Sequence, residues 1–393
     1  MHELDDPYPH YAMLRTQAPV SRVADSSFHL VSSWELVTEA VKRADDFSSN
    51  LTATMVWQAD GSVTEFPLFE LGSPMHVLAT ADEPTHRRHR RMVLPALSAT
   101  RIRALQPFIA DALATMWAAG RDGDRIDWVT AVAQRLPMAV VAELVGFPTC
   151  DIDELIRWSF AATALLDGMV EAAQLAEAAQ AAGELADYLN TAFSAELADP
   201  GATAMGDLAR QVRSGEVQHD TAVFTLIQLV IAGAESTVSL VGSAVWLLGR
   251  HPDITAQLRA DRDLVAPFIE EVLRLESPFR GHYRHVTTDT QLGGVPLAAG
   301  DRLYLLWGAA NRDPAVFDEP DEIHLAPARR QPHLAFGQGL HRCVGAALAR
   351  IEGNAAVGFL LDATTDFEVT VDEPDWQPSL LVRRLRSLEL TAR

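Results

Sequence analysis

The chain has 393 residues, with 53 acidic side chains against 32 lysines and arginines, a formal net charge of −21, 48% hydrophobic and 22% charged residues. That balance excludes a disordered or low-complexity chain, and the excess negative charge argues against nucleic acid or an anionic membrane surface as partner. Two cysteines in unlike settings offer no disulfide framework and fit a reducing cytoplasm, and Met1 to Asp6 lacks the charged and then apolar pattern of a secretory signal.

Asp6-Pro7-Tyr8-Pro9 opens a first helix to about Gln17, which Pro19 stops. Residues 20–23 and 28–31 read as paired short strands. Ser33 is expected to cap a helix to about Arg43, with Leu36, Val37, Ala40 and Val41 as one apolar stripe. Between Phe47 and Thr80 the periodicity dissolves, which predicts a long loop, either functional or merely on the surface. Helices are predicted over 84–95, 100–119, 128–145, 151–166 and 170–197. Asp220 should cap an apolar run that reaches Gly249. The run is long enough to cross a bilayer, but Gln228, Glu235 and Ser236 in its middle make it a buried helix instead. Two shorter helices follow His251-Pro252, the second over 264–275. Strand-like pieces lie between Tyr283 and Tyr304, and 366–371 alternates with 380–390 as a hairpin would. The chain is therefore mostly α with a small β portion. No repeat or Pro/Gly-rich linker interrupts it, so residues 1–393 are read as a single domain.

The segment from His333 to Arg350 carries the densest chemistry. Gly337 and Gly339 bracket a turn that no side chain obstructs. Cys343 follows, with helix formers from Val344 onward, so it is expected at a helix N-terminus whose dipole favours thiolate over thiol. Such a thiolate is a ligand or a nucleophile; the plain alternative is a buried cysteine acting as a small hydrophobe. Inside the apolar run, Ala232-Gly233-Ala234-Glu235-Ser236-Thr237 sets small residues beside an acid and two alcohols. Gly233 would let a flat ligand press on the helix, or simply let another helix pack there. Glu271 and Arg274 can pair on one helix face. His86 and Arg90 share a face of the densest basic cluster, which runs to Arg91.

The spacing Phe336-Gly337-x-Gly339-x-His341-x-Cys343-x-Gly345 resembles the haem-binding loop of the cytochrome P-450 haem-thiolate monooxygenases, and the other motifs occur in that family's order. The resemblance implies the P-450 fold, a helical bundle around haem b with small β-sheets. It implies insertion of one oxygen atom from O2 into a small, mainly hydrophobic organic substrate. With no Gly-x-Gly-x-x-Gly after a strand, electrons are expected from a separate ferredoxin and ferredoxin reductase.

By the same resemblance Cys343 is the axial ligand of the haem iron, within a loop formed by Phe336, Gly337, His341 and Gly345. Ala232 and Gly233 would lie against the haem. Glu235 and Ser236 match the acid and alcohol that supply protons during oxygen activation, Ser standing where the family usually has Thr. Glu271 and Arg274 match the Glu-x-x-Arg brace; the family's further arginine is replaced by acid in Pro320-Asp321-Glu322-Ile323, leaving Arg329 or Arg330 as substitutes. His86, Arg90, Arg284 and His341 match the donors to the haem propionates, while Arg87, Arg88 and Arg91 form a solvated face suited to a ferredoxin. The pocket would draw on the 47–80 loop, 162–168, the long helix, 279–282 and Leu380-Leu381, with His282 and Tyr283 as polar contacts. Cys150 has no neighbour suggesting chemistry. Residues 46–55 and 279–286 resemble a mycobacterial subgroup of the soluble bacterial branch, so no membrane anchor is expected. Two other readings stay open: a haem enzyme that uses peroxide directly, and a helical protein that binds a hydrophobic ligand or haem without turnover.

Overall fold

A computed structural model describes residues 2–58, 62–68, 76–147, 151–168, 172–326, 332–371 and 373–393. Cys150, Arg329 and Arg330 lie outside the described residues, as do parts of the 47–80 stretch and the start of the helix expected at 170. Helix α1 (His2–Asp5) precedes α2 (Tyr8–Gln17), and strands β1 (Val20–Arg22) and β2 (Phe28–Val31) pair antiparallel with Val20 opposite Val31. Ser33 caps α3 (Trp34–Lys42) by accepting from the Leu36 N–H, and Val37 and Ala40 of its stripe are buried.

The stretch from Phe47 to Thr80 departs from the expected loop. It contains β3 (Phe47–Ser48) and an antiparallel pair, β4 (Ala53–Trp57) with β5 (Val63–Pro67). β-branched and aromatic residues in both runs favour that pairing although neither alternates cleanly.

Helices α4 (Thr85–Val93), α5 (Ala99–Ala104) and α6 (Gln106–Gly120) follow. The single helix expected over 100–119 divides at Leu105 because Pro107 has no N–H to continue the ladder and suits a helix start. After β6 (Arg125–Asp127), a π-helical turn over Val129–Ala133 leads into α7 (Arg135–Val145). Asp151 caps α8 (Ile152–Ala164), and α9 (Ala172–Glu196) packs beside it. Helix α10 (Ala204–Arg213) escaped the sequence reading; Thr203, whose hydroxyl accepts from the Gly206 N–H, was its signal.

Helix α11 (His219–Arg250) runs through the core, with every residue from Thr237 to Leu248 buried. It is long and apolar enough to cross a membrane, but its burial is that of a core helix. Its cap is Gln218 rather than Asp220, which instead places its charge in the first turn, where the helix dipole favours it. Then come α12 (Pro252–Ala260), α13 (Val265–Leu275), β7 (Gly281–Val286), β8 (Thr290–Leu292), β9 (Val295–Leu297), β10 (Arg302–Leu306) and α14 (Trp307–Ala310). Helix α15 (Ala346–Ala363), β11 (Phe367–Val369) and β12 (Glu389–Ala392) close the chain.

A five-stranded sheet has the order β1-β2-β10-β7-β3, with β10 parallel to β2 and antiparallel to β7. The smaller sheet, β11-β12-β6, corrects the expected terminal hairpin: β12 starts at Glu389, and most of 380–388 is not a strand. The reason is that Arg383 and Arg384 are buried there and held by ion pairs instead of alternating outward. The largest apolar cluster joins α6, the π-turn, α7, α11, α13 and α15. Gly353 lets α15 come close to α11, since a Cβ there would lie 3.1 Å from Leu240 Cδ2.

Candidate functional site

Gly337 and Gly339 adopt φ of 63° and 71°, so the turn before Cys343 calls for residues without a Cβ. Gly337 N–H donates to Leu334 O at 2.8 Å and Cys343 N–H to Phe336 O at 2.9 Å, which folds the loop back on itself. Leu334 N–H is tied in turn to Asn311 Oδ1 at 2.6 Å. The Arg350 guanidinium lies 4.5 Å over the Phe336 ring and makes two hydrogen bonds, of 2.7 and 2.9 Å, to Glu270, which also meets His333 Nε2 at 3.3 Å. Burial works to raise the Glu270 carboxyl, but His333 and Arg350 outweigh it and hold it at about 2. The cysteine loop thus rests on a bracket that the sequence reading missed.

The helix expected to begin directly after Cys343 begins at Ala346, with Gly345 as its cap and a Cβ at Gly345 only 3.9 Å from the sulfur. Cys343 is accessible, yet the protein around it raises its thiol above the ordinary value; the Gly345 and Ala346 N–H groups with Arg90 and Arg350 pull the other way without prevailing. The helix-start N–H groups thus favour the thiolate, as expected, while burial opposes them.

Beside the loop, His86 is 3% exposed and stacks on His341 with ring centroids 4.1 Å apart. One turn further along α4, Arg90 donates to Arg342 O at 2.8 Å. Arg284, on β7, donates from Nη1 to Tyr283 O at 2.9 Å. Burial first, then Arg284, His86, Arg90 and His282, push the His341 imidazole down to about 3, and burial lowers the Arg284 guanidinium to about 10, with Asp82 partly opposing. His341 Nδ1 is buried without a hydrogen-bond partner. His86, Arg90, Arg284 and His341 are thus brought together as a donor cluster of the kind buried carboxylates require. Arg87, Arg88 and Arg91 are exposed, and Arg87 pairs with Glu83 at 3.1 Å.

On α11, Phe224 and Ala232 are exposed and Gln228 and Ser236 half-buried, a stripe at four-residue spacing on a helix otherwise mostly buried. Ser236 Oγ donates to Ala232 O at 2.8 Å. Gly233 corrects an expectation. A Cβ there would lie 2.6 Å from Val141 Cγ2, so its lack of a side chain serves the packing of α7 rather than room for a flat ligand. Glu235 corrects another: it is 4% exposed and paired with Arg384, Nε to Oε1 2.7 Å, not linked directly to solvent. Burial raises its carboxyl, and Arg384 opposes that rise. Arg384 also lies 4.2 Å over the Phe160 ring. Two adjacent arginines within the apolar 380–388 run were the signal for this partner.

Glu271 and Arg274 form a buried pair, 6% and 2% exposed, through bonds of 3.0 and 2.8 Å. Backbone groups complete it: Arg274 donates to the carbonyls of Asn311, Pro320 and Glu322, and Glu271 accepts from His324 N–H. Main chain from 320–324 therefore satisfies the pair where a further arginine was expected. An accessible sulfur on a glycine-shaped loop, a neighbouring set of carboxylate donors and an accessible Ala232–Ser236 stripe fit an iron porphyrin with two acid side chains.

The family described as Cytochrome P-450 matches residues 195–384. Cytochrome P-450 144 of Mycobacterium tuberculosis is 49% identical over 387 residues, 98% of this chain and 89% of that protein. The 6-deoxyerythronolide B hydroxylase of Saccharopolyspora erythraea is 30% identical, over 98% of this chain and 95% of that protein. Among solved structures, CalO2 superposes with a TM-score of 0.89 at 28% identity, covering 100% and 97% of the two chains. CYP109E1 from Bacillus megaterium in complex with corticosterone superposes with a TM-score of 0.84 at 26% identity, covering 100% of each.

Proposed function

The chain belongs to the cytochrome P-450 family and is a haem b monooxygenase, and from that premise we propose that it oxidises a small, mainly hydrophobic molecule with electrons from a ferredoxin and its reductase in the cytoplasm. The haem supplies the iron at which dioxygen is activated. Cys343 would ligate that iron, with Phe336, Gly337, His341 and Gly345 forming the loop around the sulfur. His86, Arg90, Arg284 and His341 would hold the propionates. Ala232 would meet the porphyrin face, and Ser236 would keep water hydrogen-bonded over it. Glu235 would pass protons toward Ser236, which requires its carboxylate to part from Arg384 at that moment.

Leu380, Leu381 and Phe279, which the family resemblance assigns to the pocket, are apolar and support a hydrophobic substrate, and the corticosterone bound by CYP109E1 is of that kind. The exposed Arg87, Arg88 and Arg91, in a chain of net charge −21, support docking of an acidic ferredoxin. The observation that carries the reading is the accessible Cys343 on its positive-φ glycine turn beside the donor cluster.

The test is the absorption spectrum of the reduced protein under carbon monoxide. A red-shifted thiolate band is expected in the wild type and its loss in Cys343→Ala; normal turnover by that variant would sink the ligand assignment. One observation favours a second reading, direct use of peroxide: Glu235 is buried and held by Arg384. Under the leading reading Ser236→Ala raises peroxide release relative to product. Unchanged coupling in that variant favours the peroxide route.

A further inference from the structure

His282 stands out on β7. It lies opposite Leu305 of β10, before the end of β7 that pairs with the short β3, and its side chain is exposed. Its ring is fixed on two sides. Phe279 packs at 4.9 Å between centroids and Trp307 at 5.9 Å, and Trp307 Nε1 donates to His282 Nδ1 at 2.6 Å. An indole nitrogen only donates, so Nδ1 must be the acceptor and the imidazole proton must sit on Nε2. Trp307 is 3% exposed, and a buried indole N–H needs such a partner. Among the described residues none accepts from Nε2. With Nδ1 accepting from the indole and the single proton on Nε2, the ring is neutral in this arrangement.

Strand periodicity places His282 and Arg284 on the same face of β7. His282 is also near enough to His341 to influence it. We infer that His282, oriented by Trp307 as a positioning residue, donates its Nε2 hydrogen to a carboxylate bound beside Arg284. A neutral donor of fixed direction adds a hydrogen bond where a further cation would repel Arg284 and Arg90. The carboxylate is a haem propionate or the acid group of a substrate; the first source rests on the cofactor reading above.

The test compares the holoprotein with His282→Ala, His282→Gln and Trp307→Phe. Three quantities are measured: the rate of haem transfer to apomyoglobin, the propionate bending mode by resonance Raman, and calorimetric binding of dodecanoic acid against dodecanol. If the partner is a propionate, His282→Ala releases haem about tenfold faster and shifts the propionate mode. If the partner is a substrate acid, the same variant weakens dodecanoic acid about tenfold, spares dodecanol and leaves haem release alone. In either case His282→Gln, which keeps an N–H donor, stays near wild type, and Trp307→Phe, which frees the ring, falls between. The inference is overturned if His282→Ala changes none of the three while the wild type keeps its thiolate band. A wild type without that band overturns the cofactor reading instead, and the dodecanoic acid comparison still decides His282.

Discussion

Glu352 on α15 is 2% exposed, its Oε2 has no partner, and burial pushes its carboxyl up to about 8 from an ordinary 4.5. The folded state therefore holds a proton that the unfolded chain releases. Below about pH 4.5 both states keep it and the contribution is fully present; as pH rises toward 8 that contribution is lost. Glutamine cannot ionise. Glu352→Gln should thus gain on the wild type as pH rises, from little difference at pH 5 to on the order of 2–4 kcal/mol by pH 8.5. Urea denaturation across that range checks it, and parallel curves would refute it. Glu270, held at about 2, works in the opposite direction, its contribution being present above about pH 4.5 and lost as pH falls toward 2. The residue type at both positions is plain in the sequence. The sign is not, because it depends on whether a partner such as Arg350 arrives.

At the scale of elements, the contact of α7 with α11 turns on Gly233. Alanine is the better helix former by about 1 kcal/mol. Its Cβ, however, would stand 2.6 Å from Val141 Cγ2, and valine is stiff at χ1, so backbone or neighbouring helix must move. Overpacking of this kind costs about 1–3 kcal/mol, so it outweighs the propensity gain. Gly233→Ala should lower stability by about 1–2 kcal/mol in urea titration with the Soret spectrum unchanged. A changed spin state without lost stability would mean that residue 233 faces the ligand after all. The same scale shows why element reading succeeded in places and failed in others. Ser33, the apolar and aromatic Phe28–Val31 run and the apolar 219–250 run each carry their structure locally. The 47–80 hairpin and the 380–388 segment do not, since one lacks clean alternation and the other is held by buried arginines.

For the whole molecule, buried charge ties the chain's two ends together. Arg383 donates to Asp5 O at 2.6 Å and pairs with Glu276 at 2.9 Å, while Tyr8 donates to the same carboxylate at 2.6 Å. Arg312 lies 3.4 Å over the Tyr8 ring. Breaking such a network exposes several charges at once, which couples first and last segments to α13. We propose that residues 1–393 unfold as one domain. A single thermal transition, coincident by far-ultraviolet circular dichroism and by Soret absorbance, is the expected outcome; two separated transitions would refute it. The sequence by itself determined the glycine turn, the placement of Cys343 after it, the basic face of α4 and the Glu271–Arg274 pair, because φ limits and helix spacing act over a few residues. Tertiary structure alone decided that Gly233 serves α7, that Glu235 is held by Arg384 and that Trp307 fixes His282. Glu235 and Arg384 are 149 residues apart, and no local rule chooses a buried charge's partner across such a distance: folding brings the two together, and the low dielectric then makes the pairing necessary.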